Sequence, residues 1–167
     1  SYNPPTKGDL VQIEKAVHLM ASAKQPVFYV GGGVINSGGQ ACEALKELLQ
    51  MTGFPCTNTL MGLGAYPAGD KQFIGMLGMH GSLEANMCMA ECDVMINIGA
   101  RFDDRVTGRL DAFSVRSKKI HVDIDPSSIN KNVKVDIGIV GDCAHVLEEM
   151  VRIWRETSPQ VDKEALE

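Results

Sequence analysis

Short apolar runs rich in β-forming residues alternate along this chain with apolar residues at helical spacing, and most of those runs end in glycine. Val27–Val30, Pro55–Leu60, Phe73–Leu77, Asp93–Ile98, Lys119–Asp123 and Ile137–Val140 have the length and composition of strands. Leu10, Ile13, Val17 and Met20, then Ala41, Leu45, Leu48 and Leu49, then residues from about Ser82 to Glu91, and lastly Val146, Leu147, Met150 and Ile153 read as helices. A strand that is apolar throughout, not at every second position, belongs to a sheet covered on both faces. The order therefore predicts an α/β fold of three layers, α/β/α, around a mostly parallel sheet of about six strands.

The helix ends carry their own signals. Asp9 with Gln12, and Ser37 with Gln40, have capping-box spacing. Gly53 suits the residue just past a helix, Pro26 stops the first helix, and Asp142 suits the cap of the last. With 167 residues, one domain is expected over residues 9–156. The polar, proline-containing stretches 1–8 and 157–167 read as linkers, as in a domain that belongs to a longer protein.

The formal charge is −5 with no clustered Lys/Arg face, which argues against a nucleic-acid module. No apolar stretch approaches the ~20 residues that cross a bilayer, so no membrane partner is expected. Five cysteines, an odd number without a CxxC pair, and no secretory signal point to a reducing, cytoplasmic setting. Cys88 and Cys92, four apart, read as small apolar residues on one helix face rather than as metal ligands.

Four of the runs end in glycine segments: Gly31–Gly33, Gly62–Gly64, Gly78–Gly81 and Gly99–Ala100. In a parallel sheet these ends share one edge, where ligands of α/β proteins bind. Missing Cβ atoms there let backbone N–H groups come close to a phosphate or a ring, which favours a nucleotide-type ligand. The G-x-G-x-x-G pattern is broken after Gly33, and no G-x-x-x-x-G-K-[ST] run is present. Arg101-Phe102-Asp103-Asp104-Arg105 has two readings, a self-paired solvated loop or a diphosphate clamp. Asp123 is placed to accept from ribose hydroxyls. Asp142 can sit beside an adenine or simply cap its helix, and His80 lies between glycines within ligand reach. His18, His121 and His145 are scattered and read as structural. No nucleophile elbow, Cys–His pair or carboxylate pair supplies a catalytic engine.

VGGG at 30–33, TLMGLG at 59–64, GMHG at 78–81, GARFDDRVTG at 99–108, DIDP at 123–126, INK at 129–131 and the Gly141-Asp142 pair occur in one order over nearly the whole chain. In these the chain resembles the central domain of the acetohydroxyacid (acetolactate) synthase large catalytic subunit, a family of thiamine-diphosphate enzymes whose central domain is Rossmann-like. The resemblance implies FAD bound here in extended form. Gly32 and Gly33 would meet it after the first strand, with Thr59, Leu60 and Met61 along the ribityl and ring region and Leu77, Gly78, Met79 and His80 beyond. Gly99, Ala100, Arg101, Asp103, Arg105 and Val106 would line the diphosphate and ribityl path. Asp123 and Ile124 would meet the adenosine end, with Asp142 and Cys143 near the adenine. Met79, Asp104 and Arg105 would face the substrate and inhibitor channel.

The resemblance also implies that the full-length enzyme condenses pyruvate with pyruvate or 2-oxobutyrate, releasing carbon dioxide, in branched-chain amino-acid biosynthesis. Thiamine diphosphate and magnesium would be held by other domains of the same subunit. The assembly would be a homodimer or homotetramer, with a small regulatory subunit as a further partner, in the bacterial cytoplasm. This chain alone would be catalytically inactive. Alternatives within the superfamily are the central domain of a glyoxylate carboligase or a pyruvate oxidase. A further alternative is an assembly domain that has lost its ligand.

Overall fold

The computed structural model describes residues 8–58, 73–76, 87–88, 90–100, 117–129 and 134–157. Among them, α1 (Leu10–Ser22) leads into β1 (Pro26–Val30), the short α2 (Gly32–Asn36), α3 (Gly39–Thr52), β2 (Cys56–Asn58) and β3 (Phe73–Met76). There follow β4 (Val94–Ile98), β5 (Lys118–Asp123), a 3-10 turn at Pro126–Ser128, β6 (Ile137–Val140) and α4 (Cys143–Thr157). The strands form one six-stranded sheet in the order β3-β2-β1-β4-β5-β6. Every pairing is parallel. The α/β reading with a parallel sheet holds.

Each helix forms where apolar spacing and end signals agree. In α1, Ile13, Ala16, Val17 and Met20 make one buried stripe, and the Asp9 carboxylate accepts from the Val11 amide. α3 buries Ala41, Ala44, Leu45, Leu48 and Leu49, and left-handed Gly53 closes it by donating its N–H to the Leu49 carbonyl. α4 turns Val146, Leu147, Met150, Ile153 and Trp154 inward. These three helices pack over one sheet face on Phe28, Val30, Ile96, Ile98, Ile120, Val122 and Ile139. The other face carries Val27, Tyr29 and Met95 with Cys92, which follows helical residues at 87–88 and 90–91. Phe54 stacks between Phe28 and Trp154 with ring centroids 5.9 and 5.8 Å away.

At the edge where the strands begin, Asp93 ties β4 to β1. Its carboxylate accepts from the amides of Lys24 (2.8 Å) and Gln25 (2.9 Å). Burial opposes the charged form, but these and neighbouring backbone donors win, and the carboxyl sits below its ordinary range.

Several local expectations differ from the structure. Ser37 does not cap α3; it ends the unforeseen helix α2, and Gly38, at φ 93°, precedes α3 with no side-chain cap. The cause is packing: Val34 is buried, and its anchoring winds Gly32–Asn36 into a turn that moves the start of the next helix beyond Ser37. β2 begins one residue later than expected, at Cys56, while Thr59 and Leu60 lie outside the described residues, and β5 begins one residue earlier, at Lys118. Gly8 is no loose spacer, since a Cβ there would lie 2.9 Å from methyl groups of both Ile139 and Val146. α4 runs to Thr157, whose hydroxyl donates to the Ile153 carbonyl. No helix among the described residues is long and apolar enough to cross a membrane.

Candidate functional site

The chain runs outward from β1 to β2 and β3, then returns to lay β4 on the other side of β1. Between β1 and β4 the strand order reverses, and in open parallel sheets ligands bind outside the strand ends at that point. The segments after β1 and β4 meet there. Gly31 donates to the Ile98 carbonyl (3.0 Å), Gly33 to the Gly99 carbonyl (2.9 Å), and Gly99 to the Val122 carbonyl (2.9 Å). A Cβ on Gly31 would fall 2.4 Å from the Ala100 Cα, and one on Gly33 2.8 Å from the Gly99 Cα. Gly99 itself has φ 67°. These glycines let two turns close on each other backbone to backbone. The Gly31 and Gly33 N–H groups serve this turn-to-turn contact.

Farther along the same edge, Asp123 ends β5 with its side chain 13% exposed, 3.5 Å from His121 Nε2. Its other carboxylate oxygen accepts from the Asp125 amide (2.9 Å). Asp142 follows β6; its carboxylate accepts from the His145 amide (3.4 Å), and its carbonyl from Val146 (3.0 Å), so it does cap α4. Gly141 donates to the Asp123 carbonyl (3.0 Å) and draws the two turns together. Cys143 lies buried behind them. Burial, then the negative charge of Asp123 and of Asp142, pushes its thiol up to about 12, against a hydrogen bond with Ser37 that pulls the other way. It is a protonated thiol, unfit as a nucleophile. Ile124, beside Asp123, is an exposed apolar side chain, as is Ile35 on α2.

The structure thus brings Gly32, Gly33, Gly99 and Ala100 together at the reversal point, and Asp123, Ile124, Asp142 and Cys143 along the same edge. Thr59, Leu60, Met61, Leu77, Gly78, Met79, His80, Arg101, Asp103, Asp104, Arg105 and Val106 lie outside the described residues, as do Gly62–Gly64 and Gly81. The ends of β2 and β3 point to this edge because both strands are parallel to β1. Open clefts lie elsewhere among the described residues. One of about 770 Å³ runs along α3 beside Glu43, Lys46, Glu47 and Glu148. One of about 430 Å³ sits at the opposite edge beside Pro26, Phe54, Pro55 and Cys88. Neither includes an expected site residue.

Two residues at this edge escaped the reading of the sequence as site residues. Asn97 is fully buried in β4, and its Oδ1 accepts from the Ala100 amide at 2.9 Å. His121 is fully buried beside Asp123. The available signal was a polar residue one or two places before the end of an otherwise apolar strand.

A parallel sheet with this strand reversal and a turn-lined edge is the architecture of an open, doubly wound α/β domain. Residues 13–150 match the family model described as "Thiamine pyrophosphate enzyme, central domain", and the chain belongs to that family. It is 51% identical over 156 residues to an acetolactate synthase large subunit of Haemophilus influenzae, covering 93% of this chain and 27% of that one. It is 48% identical over 158 residues to the isozyme 3 large subunit of Escherichia coli, covering 95% and 27%. With a probable acetolactate synthase large subunit of Methanococcus aeolicus the figure is 45% over 168 residues, covering 98% and 28%. The chain therefore spans little more than a quarter of the length of these relatives.

Proposed function

We propose that this chain is the FAD-binding central domain of an acetolactate synthase large subunit. The observation that carries the reading is the assembled edge: Gly31 and Gly33 closed on Ala100 and Gly99, with Asp123, exposed Ile124 and Asp142 in line beyond them. The edge fits one half of such a cofactor. Carboxylate acceptors suit ribose hydroxyls, and an exposed apolar side chain suits an adenine ring. Since the Gly31 and Gly33 amides are engaged, the diphosphate falls to Gly32 and to the arginines at 101 and 105, whose forked guanidinium groups match phosphate oxygens. Thr59, Leu60, Met61, Leu77, Gly78, Met79, His80, Asp103 and Val106 complete the flavin path, and Met79, Asp104 and Arg105 face the substrate channel.

In the full-length enzyme the reaction is the decarboxylating condensation of pyruvate with pyruvate or 2-oxobutyrate. Thiamine diphosphate and magnesium supply its chemistry from other domains. The flavin supplies no net redox step in that reaction. This chain's residues bind and orient; none of them moves a proton or bonds to substrate, so the isolated domain is inactive. The domain, expected over residues 9–156, takes in Gly8 and Thr157 as well. Its partners are the other domains of its subunit, further copies of that subunit and a small regulatory subunit, in the cytoplasm. The relatives' names favour a synthase over a carboligase or an oxidase.

The test is an FAD titration of the chain, followed by flavin fluorescence and by melting temperature. A saturable fluorescence change with a rise in melting temperature supports the reading. No response at high micromolar FAD counts against binding by this chain alone and favours a domain that serves assembly.

A further inference from the structure

Strand register places Thr57, Tyr29, Asn97 and His121 side by side across β2, β1, β4 and β5. All four are completely buried, on the sheet face opposite α1, α3 and α4, just before the strands end. A polar row inside an otherwise apolar sheet calls for a reason, because buried polar groups are tolerated only when they are held. Asn97 supplies one. Its Oδ1 takes the Ala100 N–H at 2.9 Å, spanning the left-handed turn at Gly99. Its Nδ2, completely buried, has no hydrogen-bond partner among the described residues. An apolar residue would spare the strand that orphaned donor, so the amide is poorly explained by strand stability alone. Beside it, His121 Nε2 lies 3.5 Å from the Asp123 carboxylate.

We propose that Asn97 is a positioning residue: its side-chain oxygen locks the Gly99–Ala100 turn into the shape that closes on Gly31 and Gly33, so that the edge is preformed for the diphosphate of FAD. The inference rests on the FAD reading above. Ligand-touching groups work at full strength only when a second tier of contacts holds them, and a turn with two shapes loses affinity in proportion to the time spent in the wrong one.

Val and Thr have nearly the same shape and differ in one acceptor oxygen, so Asn97→Val and Asn97→Thr isolate the feature in question. Each variant of the 167-residue chain is titrated with FAD, melted, and followed by amide hydrogen exchange at Ala100. Asn97→Val is expected to exchange Ala100 much faster and to bind FAD roughly ten-fold more weakly while melting within a few degrees of the parent. Asn97→Thr should keep Ala100 protected and hold FAD within about three-fold. A residue that only braced the fold would shift melting and affinity together. Equal affinity in the Val variant, or Thr and Val variants that behave alike, overturns the proposal. If the parent chain binds no FAD, the FAD reading is what fails; unchanged Ala100 exchange in Asn97→Val then overturns the positioning role separately.

Discussion

Replacing Gly31 by Ala sets two physical effects against each other. Gly31 has φ −120° and ψ −171°, a backbone shape that any residue adopts. Counted by chain entropy alone, the substitution stabilises the fold by ~0.4–1 kcal/mol. Packing opposes this, because the new Cβ would meet the Ala100 Cα at 2.4 Å and the Ala100 Cβ and Gly99 carbonyl oxygen at 2.5 Å. Two of these are backbone atoms that cannot rotate away. The turns must part, at about 1–3 kcal/mol for overpacking and about 0.5–1.5 kcal/mol for each hydrogen bond that stretches. Those at risk are Gly31 to Ile98 and Gly33 to Gly99. Packing prevails by ~2–4 kcal/mol, and with a urea slope of ~2 kcal/mol/M the midpoint falls by roughly 1–2 M. Trp154, the one tryptophan of the chain and a buried residue, reports unfolding by its fluorescence. Gly39→Ala is the control: a Cβ there meets nothing within 4 Å, and the residue starts α3. That variant should gain ~0.5–1 kcal/mol. A Gly31→Ala protein as stable as the parent would refute the claim that backbone contact dictates glycine here.

Two further outcomes concern pH. The Asp93 carboxyl is held below its ordinary value of 3.8 despite partial burial, through the amides of Lys24 and Gln25. Its contribution is complete above that value and is lost as pH falls through the lowered one. Asp93→Ala should therefore lose ~1–3 kcal/mol at pH 7 and show a flatter acid limb than the parent in urea melts from pH 6 to pH 2. The Cys143 thiol is raised from 9.0 to about 12 by burial and by Asp123 and Asp142. The folded state thus keeps a proton that the unfolded chain releases, so stability is complete below pH ~9 and is lost as pH rises toward the folded value. Cys143→Ala should flatten stability between pH 9 and 11, and in the parent Cys143 should resist iodoacetamide at pH 8 while native; rapid alkylation would contradict its buried, protonated state.

Much of the fold follows from local composition. Val27–Val30 is a continuous apolar run because both sheet faces are covered there, and that pattern survives in one dimension. Asp9 and Gly53 act through neighbours two to four residues away, so their roles as helix ends were legible. Ser37 was misplaced because a cap signal competes with tertiary contact. Once Val34 is buried, α2 forms, and Ser37 becomes its end and turns to Cys143.

What the chain's order of residues determined by itself is the alternation of strand and helix, the glycine-ended strands and the acidic residue that ends β5, since each depends on contacts within a few residues. Tertiary structure alone decided that β4 returns to lie beside β1, that Gly31 and Gly33 serve Gly99 and Ala100 before any ligand, and that Asn97 and His121 stand in one buried row. The physical reason is register: hydropathy along a strand reveals which face a residue takes, but which residue stands beside it depends on pairing between segments as much as 68 residues apart in the chain, such as Pro26 and Val94.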